Sequence, residues 1–190
     1  MLLAALTSVA ILQASAAPVA KTEAFASFER LCIANQANAL AAAALADAEH
    51  WEVAPARQPA PGSPHMISVV GRTKSSGTAR FYLMAGRGDA GDSEDPHLKF
   101  DLCNLLIKHV DATTMASINA DVSAWAAVSP ASQSSSKIVY TFTEESGGHT
   151  AIINPSDIDA KAAFKAGKVR MLSTTASSDS LLLSYFIPRM

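Results

Sequence analysis

The chain has little of what nucleic-acid-binding proteins need. Aromatic residues make up 6% of its 190 residues and charged residues 17%, and 15 Lys and Arg are balanced by 17 Asp and Glu. No basic stripe with interleaved aromatic residues occurs in the sequence. Because nucleic acids are bound through clustered positive charge, the near-neutral balance argues against nucleic acid as a partner.

Motifs that mark common enzyme and cofactor classes are missing as well. The sequence contains no P-loop, no haem-attachment motif, no C-x-x-C pair and no G-x-S-x-G. Its five histidines are too far apart for a zinc site on one helix, and they are interpreted as surface residues: His50, His65, His97, His109 and His149. The sequence therefore predicts no metal and no cofactor, and it identifies no catalytic residue.

An apolar run near the N-terminus, LLAALTSVAIL, is too short for a permanent membrane helix and is typical of a signal-peptide core. Ala14 and Ala16 form the small-x-small pattern that a signal peptidase accepts. We therefore expect residues 1–16 to be a signal peptide and residues 17–190 to form a single domain. The protein is then periplasmic or secreted, without stable membrane insertion after cleavage. A frayed apolar N-terminal tail is the alternative.

The only two cysteines, Cys32 and Cys103, are interpreted in the light of export. Two thiols in an oxidising compartment usually pair, so a Cys32–Cys103 disulfide is predicted. Closing so long a loop contributes about 2–4 kcal/mol to stability. A catalytic thiol or a metal-ligand pair is the competing interpretation, and no flanking signature favours either.

The hydrophobic pattern predicts an α+β fold, in which an antiparallel sheet of about six to seven strands is packed by two main helices and one short helix. The main helices are expected over 22–50, capped by Thr22, and over 112–127, capped by Asp111. A capping box at Ser156 and a terminal Gly167 bound the short helix. A helix-then-strands repeat is suggested near residue 110, without convincing sequence similarity between the two parts.

Alternation in HLKFDLCNLLIK raises a difficulty for the disulfide. Phe100 and Leu102 fall on one face of the strand and Cys103 on the other. If the first helix packs on the apolar face, Cys103 points away from Cys32. We therefore expect a bulge or a strand end near Asn104 that rotates the phase.

Three short stretches invite functional interpretations that have simpler structural explanations. The acidic loop with Asp89, Asp92, Glu94 and Asp95 is expected to be solvated rather than a Ca²⁺ site, because its spacing is not that of an EF-hand. The RGD tripeptide at 87–89 is interpreted as a chance match in a Gly-rich loop. Glu145 and His149, in the stretch ESGGH, are assigned to a hairpin turn rather than to a catalytic loop.

An export signal followed by Phe28 and Cys32 as F-x-x-x-C, an Ala-rich helix ending at Trp51, a Pro-rich stretch and a second cysteine resembles small exported bacterial proteins of uncharacterised function. The resemblance covers mainly residues 25–55 and the surroundings of Cys103. It implies an exported protein with one disulfide, and it brings no activity or site residues.

Two function classes remain open from the sequence. The first is an exported, non-catalytic domain that binds a protein partner or a small ligand. The second is a periplasmic hydrolase whose site is built from loops. An enzyme is expected to have a concave pocket with converging titratable groups, whereas a binding module needs none.

Overall fold

The structure, a computed structural model, describes residues 20–55, 65–89, 99–145, 148–154 and 158–189. These residues form an antiparallel sheet of nine strands with four α-helices, which confirms the α+β class. The strand and helix numbers exceed the prediction because two strands of two residues each and a break in the first helix were not anticipated. The predicted signal peptide lies outside the described residues.

The elements are ordered along the chain as two groups of helices and strands. The helices are α1 (Glu23–Phe28), a π-helix (Glu29–Ile33), α2 (Ala39–Ala48), α3 (Ala112–Ala126) and α4 (Ile158–Lys165). The strands are β1 (Glu52–Val53), β2 (His65–Ser76), β3 (Ala79–Asp89), β4 (Lys99–Lys108), β5 (Ser132–Gln133), β6 (Lys137–Glu145), β7 (Gly148–Ala151), β8 (Val169–Ala176) and β9 (Ser180–Arg189). The spatial order is β1-β2-β3-β4-β9-β8-β6-β5, with β7 also paired to β6.

The two halves of the chain repeat one topology. In the first half, helices and the two-residue strand β1 precede the neighbouring strands β2, β3 and β4. In the second half, α3 and the two-residue strand β5 precede β6, β8 and β9, with β7 and α4 inserted after β6. Strands β4 and β9 pair at the centre of the sheet. The repeat suggested near residue 110 is therefore present in the topology.

The core lies between the helices and one face of the sheet. Alternate strand residues on this face are buried, including Phe81, Leu83, Leu105, Ile107, Tyr140, Phe142, Leu172, Leu181, Leu183 and Tyr185. Phe25, Phe28 and Leu31 of the N-terminal helices and Ile118 and Val122 of α3 belong to the same buried cluster. The apolar residues that alternate along the strands and those at helical spacing thus belong to one core.

The irregularity predicted near Asn104 is wrong. Strand β4 pairs with β3 and β9 without a register shift over Lys99–Lys108. The helices pack on the face that carries Cys103 and Leu105, whereas Phe100 lies on the other face and stacks on Phe186 with ring centroids 5.0 Å apart. Because β4 is apolar on both faces, its alternation could not identify the helix-packed one.

The irregularity lies in the first helix instead. The predicted helix over 22–50 is divided into α1, the π-helix and α2, and a turn over residues 34–37 separates the last two. Gln36 and Ala37 in this turn have φ angles of 52° and 54°. Asn38 then caps α2, where its side chain accepts a hydrogen bond from the Ala41 N–H.

A disulfide joins Cys32 to Cys103, as the sequence predicted. The two residues are 71 positions apart, and both are fully buried. The bond attaches the π-helix to the central strand β4. The turn that carries Gln36 therefore begins directly after an anchored segment.

The other two helices have the predicted boundaries in the part that is described. Asp111 caps α3 and accepts a hydrogen bond from the Thr114 N–H at 2.7 Å. Gly167 follows α4 with a φ of 66°, whereas the predicted capping residue Ser156 lies outside the described residues. No helix in the described ranges is long and apolar enough to span a membrane.

Candidate functional site

A cleft of about 490 Å³ opens at one end of the sheet, and we call it the arginine cleft. It lies between the turn after the π-helix, the connection from α4 to β8 and the end of β9. Its walls are formed by Gln36, Lys165, Ala166, Gly167, Arg170, Ile187, Pro188 and Arg189. Among these described residues three are cationic and none is acidic.

Arg170 is fixed at the wall of the cleft by three hydrogen bonds to protein oxygen atoms. Its Nε donates to Gln36 Oε1 at 3.1 Å, and its Nη1 donates to the carbonyl oxygens of Gly167 at 2.8 Å and Val169 at 3.0 Å. The Gln36 Nε2 lies 3.5 Å from Glu144 Oε2. The guanidinium orientation is therefore set before any ligand arrives.

Tyr185 of β9 places a buried hydroxyl behind the cleft wall, on the same face of the sheet as Arg170, because it lies opposite Leu172 in the β8–β9 pair. Its side chain is fully buried, and the hydroxyl has no hydrogen-bond partner among the described residues. Burial raises the pKa of Tyr185 to about 12, and the Glu144 carboxylate acts in the same direction, while Arg170 and Gln36 act against it. Because buried polar groups are nearly always paired, this neutral O–H beside Arg170 and Gln36 is an unused donor.

Asp101 holds Arg189 at the other side of the cleft. The Asp101 side chain is only 6% exposed, and its Oδ1 accepts a hydrogen bond from Arg87 Nε at 3.1 Å. Its Oδ2 accepts a second, short hydrogen bond from Arg189 Nε. One buried carboxylate thus orients two guanidinium groups that are themselves about half exposed.

The structure assigns His149 to packing rather than to catalysis. Its Nδ1–H donates to the Ala126 carbonyl at the end of α3 at 2.8 Å, and its ring lies 4.5 Å from Trp125 and 4.4 Å from Phe142, centroid to centroid. In the β6–β7 hairpin, His149 is opposite Glu144, whereas Glu145 is opposite Gly148. Glu145 and His149 therefore lie on opposite faces of the sheet.

The RGD tripeptide begins inside a strand rather than in a loop. Residues 87–89 end β3, where Arg87 pairs with buried Asp101 and Gly88 lies beneath Phe100. Residues 86–91, GRGDAG, also match the pattern G-x-G-x-x-G. Because β3 is followed by its antiparallel neighbour β4, the parallel βαβ context of a dinucleotide site is missing there.

The candidate metal ligands are dispersed. In the ranges that the structure describes, no group of three or more His, Cys, Asp or Glu side chains is placed to hold a metal ion. His109 is exposed and lies 3.9 Å from Asp179. Asp92, Glu94, Asp95 and His97 lie outside the described residues, so the prediction for the acidic loop remains a prediction.

Two further depressions have a different character. One of about 660 Å³ lies between the β6–β7 hairpin and α4 and includes Glu145 and Asp159, and one of about 340 Å³ includes Glu49, His50, Lys74 and Arg80. Glu145 and Asp159 make the first depression acidic, and the second mixes both signs of charge. The arginine cleft is the stronger candidate because its described lining carries three cationic residues and no acidic one.

Sequence reasoning missed this site because its parts are distant along the chain. Gln36 and Arg170 are 134 residues apart, and they meet only through the fold. A buried tyrosine hydroxyl has no signature in the sequence. The positive φ of Gln36 was equally hidden, since glutamine is not a typical turn residue.

Comparison of the chain with protein-family models, with curated proteins and with solved structures gives no significant match. The resemblance to small exported bacterial proteins therefore remains an expectation from the sequence. The functional argument rests on the geometry of the cleft.

Proposed function

We propose that the protein is an exported, non-catalytic binding domain that holds a small ligand in the arginine cleft. The observation that supports this proposal is the fully buried Tyr185 hydroxyl, which has no partner among the described residues and lies on the same face of the sheet as Arg170, behind the cleft wall. Leaving such a donor unpaired costs about 1–3 kcal/mol. A ligand that supplies an acceptor would recover part of that cost.

Binding is favoured over catalysis by the chemistry of the lining. No Ser, Cys, His, Asp or Glu is among the described residues that line the cleft. Tyr185 is held neutral far above physiological pH, so it suits hydrogen-bond donation better than proton abstraction. Glu145 and His149, the pair that came nearest to a catalytic site, lie on opposite faces of the sheet, so they do not support the hydrolase alternative.

Export to the periplasm or outside the cell is part of the proposal. The buried Cys32–Cys103 disulfide fits an oxidising compartment, and the apolar N-terminal run fits a cleaved signal peptide. Intact mass of the exported protein is expected to correspond to a chain that begins at Ala17, with no thiol open to alkylation before reduction. An uncleaved chain with two reactive thiols would contradict export.

The binding proposal is tested by screening a mixed small-molecule fragment library against ¹⁵N-labelled protein. We expect the bound fragments to shift the backbone amides of Gln36, Gly167, Arg170 and Ile187. Amides of β1 and of the β2–β3 turn, at the far edge of the sheet, serve as the internal control. Shifts confined to other surfaces, or no shift with any fragment, would reject the cleft as a ligand site.

A further inference from the structure

We propose that the ligand of the arginine cleft is an organic oxyanion, a carboxylate or phosphate ester carried by an apolar body. This inference rests on the proposed function and adds the chemical class of the ligand. It is carried by three features of the described lining residues: their charge, the unused donor beside them and the apolar surface between them.

The positive charge of the lining favours an anionic ligand. Lys165, Arg170 and Arg189 line the cleft without an acidic neighbour in the described lining. Arg189 is partly neutralised by Asp101, whereas the acceptors that Arg170 uses among the described residues are neutral, namely the Gln36 amide and two backbone carbonyls. The nearest carboxylate on this side, Glu144, lies beyond Gln36. A cation so placed gains most from an anionic partner, and a guanidinium matches the planar geometry of a carboxylate or a phosphate.

The unused donor selects oxygen atoms that accept hydrogen bonds. The Tyr185 O–H has no acceptor within the described part of the chain, and its raised pKa keeps the proton on the oxygen. Its neighbours on the cleft side, Arg170 and Gln36, are the same residues that orient one another. Because Tyr185 is fully buried and does not itself line the cleft, an oxyanion held by Arg170 would accept from the Tyr185 O–H only after the Arg170 and Gln36 side chains shift.

The apolar residues of the lining favour an organic ion over a bare inorganic ion. Ala166 is exposed, whereas Ile187 and Pro188 of β9 are buried and contribute a small apolar part of the wall. A volume of about 490 Å³ is within the usual range for small organic ligands. The body of the ligand would cover this surface while its charged group meets Arg170.

The test compares probes that differ in one property at a time. 3-Phenylpropanoate and phenyl phosphate supply a carboxylate and a phosphate ester, 3-phenylpropanamide is the neutral isostere, and acetate and inorganic phosphate lack the apolar body. Dissociation constants are measured by NMR titration of the cleft amides at low and at high NaCl. We expect each organic oxyanion to bind at least about tenfold more tightly than the amide. Acetate and inorganic phosphate should bind more weakly than the organic oxyanion that carries the same charged group. The ratio of the two oxyanions identifies the preferred headgroup.

Variants connect the affinity to named side chains. Arg170→Met is expected to weaken 3-phenylpropanoate about tenfold, and Tyr185→Phe about threefold to tenfold. Arg80→Met is the matched control, because Arg80 is an exposed arginine over the Tyr82 ring and does not line the cleft. If Arg170→Met does not fold, Lys165→Met at the exposed end of α4 replaces it as the charge variant.

Failure of this inference is distinguishable from failure of the proposed function. If the neutral amide shifts the cleft amides with the same affinity as the acid, the oxyanion class is wrong and the binding function stands. The same holds if folded Arg170→Met and Lys165→Met bind 3-phenylpropanoate unchanged. If neither these probes nor the fragment library shifts the cleft amides, both proposals are rejected.

Discussion

The Tyr185 hydroxyl has no hydrogen-bond partner among the described residues, and removing it tests whether it is unsatisfied in solution. Tyr185→Phe keeps the buried ring and deletes only the unpaired O–H. We expect urea unfolding to show an unchanged or higher free energy of unfolding, by up to about 1 kcal/mol. A loss of more than about 1 kcal/mol would mean that the hydroxyl has a partner in solution.

The pH dependence of stability gives an independent test of the same burial. The pKa of Tyr185 rises from 10.0 to about 12 on folding, so the unfolded chain loses this proton first as the pH increases. The contribution of Tyr185 is complete below pH 10 and is lost between pH 10 and 12, by roughly 2–3 kcal/mol in all. The difference in free energy of unfolding between the wild type and Tyr185→Phe should therefore be constant below pH 10 and change between pH 10 and 12. A constant difference would contradict the burial.

Gly88 is required by the close approach of an aromatic ring. A Cβ at this position would lie 2.1 Å from the Cζ of Phe100, whose ring is buried and stacked on Phe186. We expect Gly88→Ala to lower the free energy of unfolding by about 1–3 kcal/mol. In a double-mutant cycle, Phe100→Leu should relieve part of this loss. Strictly additive effects would show that the ring is not the obstacle.

At the scale of elements, capping and strand alternation were predictable where local chemistry decides. The caps at Thr22 and Asp111 and the strand over Lys137–Glu145 lie where the sequence placed them. The division of the first helix was not visible, because residues 34–37 contain neither Gly nor Pro. Its cause is tertiary: the disulfide fixes the π-helix on β4, and Arg30 pairs with Glu49 beyond the turn.

The disulfide is expected to stabilise both the fold and the turn that carries Gln36. Cys32→Ala combined with Cys103→Ala should lower the free energy of unfolding by about 2–4 kcal/mol. Alanine is preferred to serine because both sites are fully buried and a hydroxyl would need a partner. Hydrogen exchange of the amides at 34–38 should accelerate more than that of β6. Equal acceleration in the turn and in β6 would show that the disulfide does not stabilise the turn specifically.

At the scale of the whole molecule, the repeated topology predicts that the two halves depend on each other. Strands β4 and β9 pair at the centre of the sheet and bury Leu105 and Leu183 against the helices. Separate fragments 20–110 and 111–189 would expose these strands as apolar edges. We expect neither fragment to give a dispersed NMR spectrum alone and their mixture to restore that of the intact protein. A folded single fragment would show that one half is an independent unit.

The candidate site is assembled only by the complete fold, which explains why the sequence did not reveal it. Gln36 follows the first helices, whereas Arg170 and Tyr185 lie on strands of the second half. Their meeting depends on the order in which β8 and β9 join the sheet. A pattern within one segment can predict a cap or a strand, but it carries no information on such an encounter.

Because Cys32 and Cys103 are fully buried, the rate at which their disulfide is reduced measures how often the surrounding structure opens. A reductant must reach a sulfur atom to exchange with it, and the native packing leaves no path of attack. The rate of reduction in the folded protein is then set by how often the first helices lift from the sheet. A ligand that bridges the turn at Gln36 to Arg170 would stabilise the closed structure and slow the reduction. The thiol–disulfide exchange rate therefore reports occupancy of the cleft without a spectroscopic label.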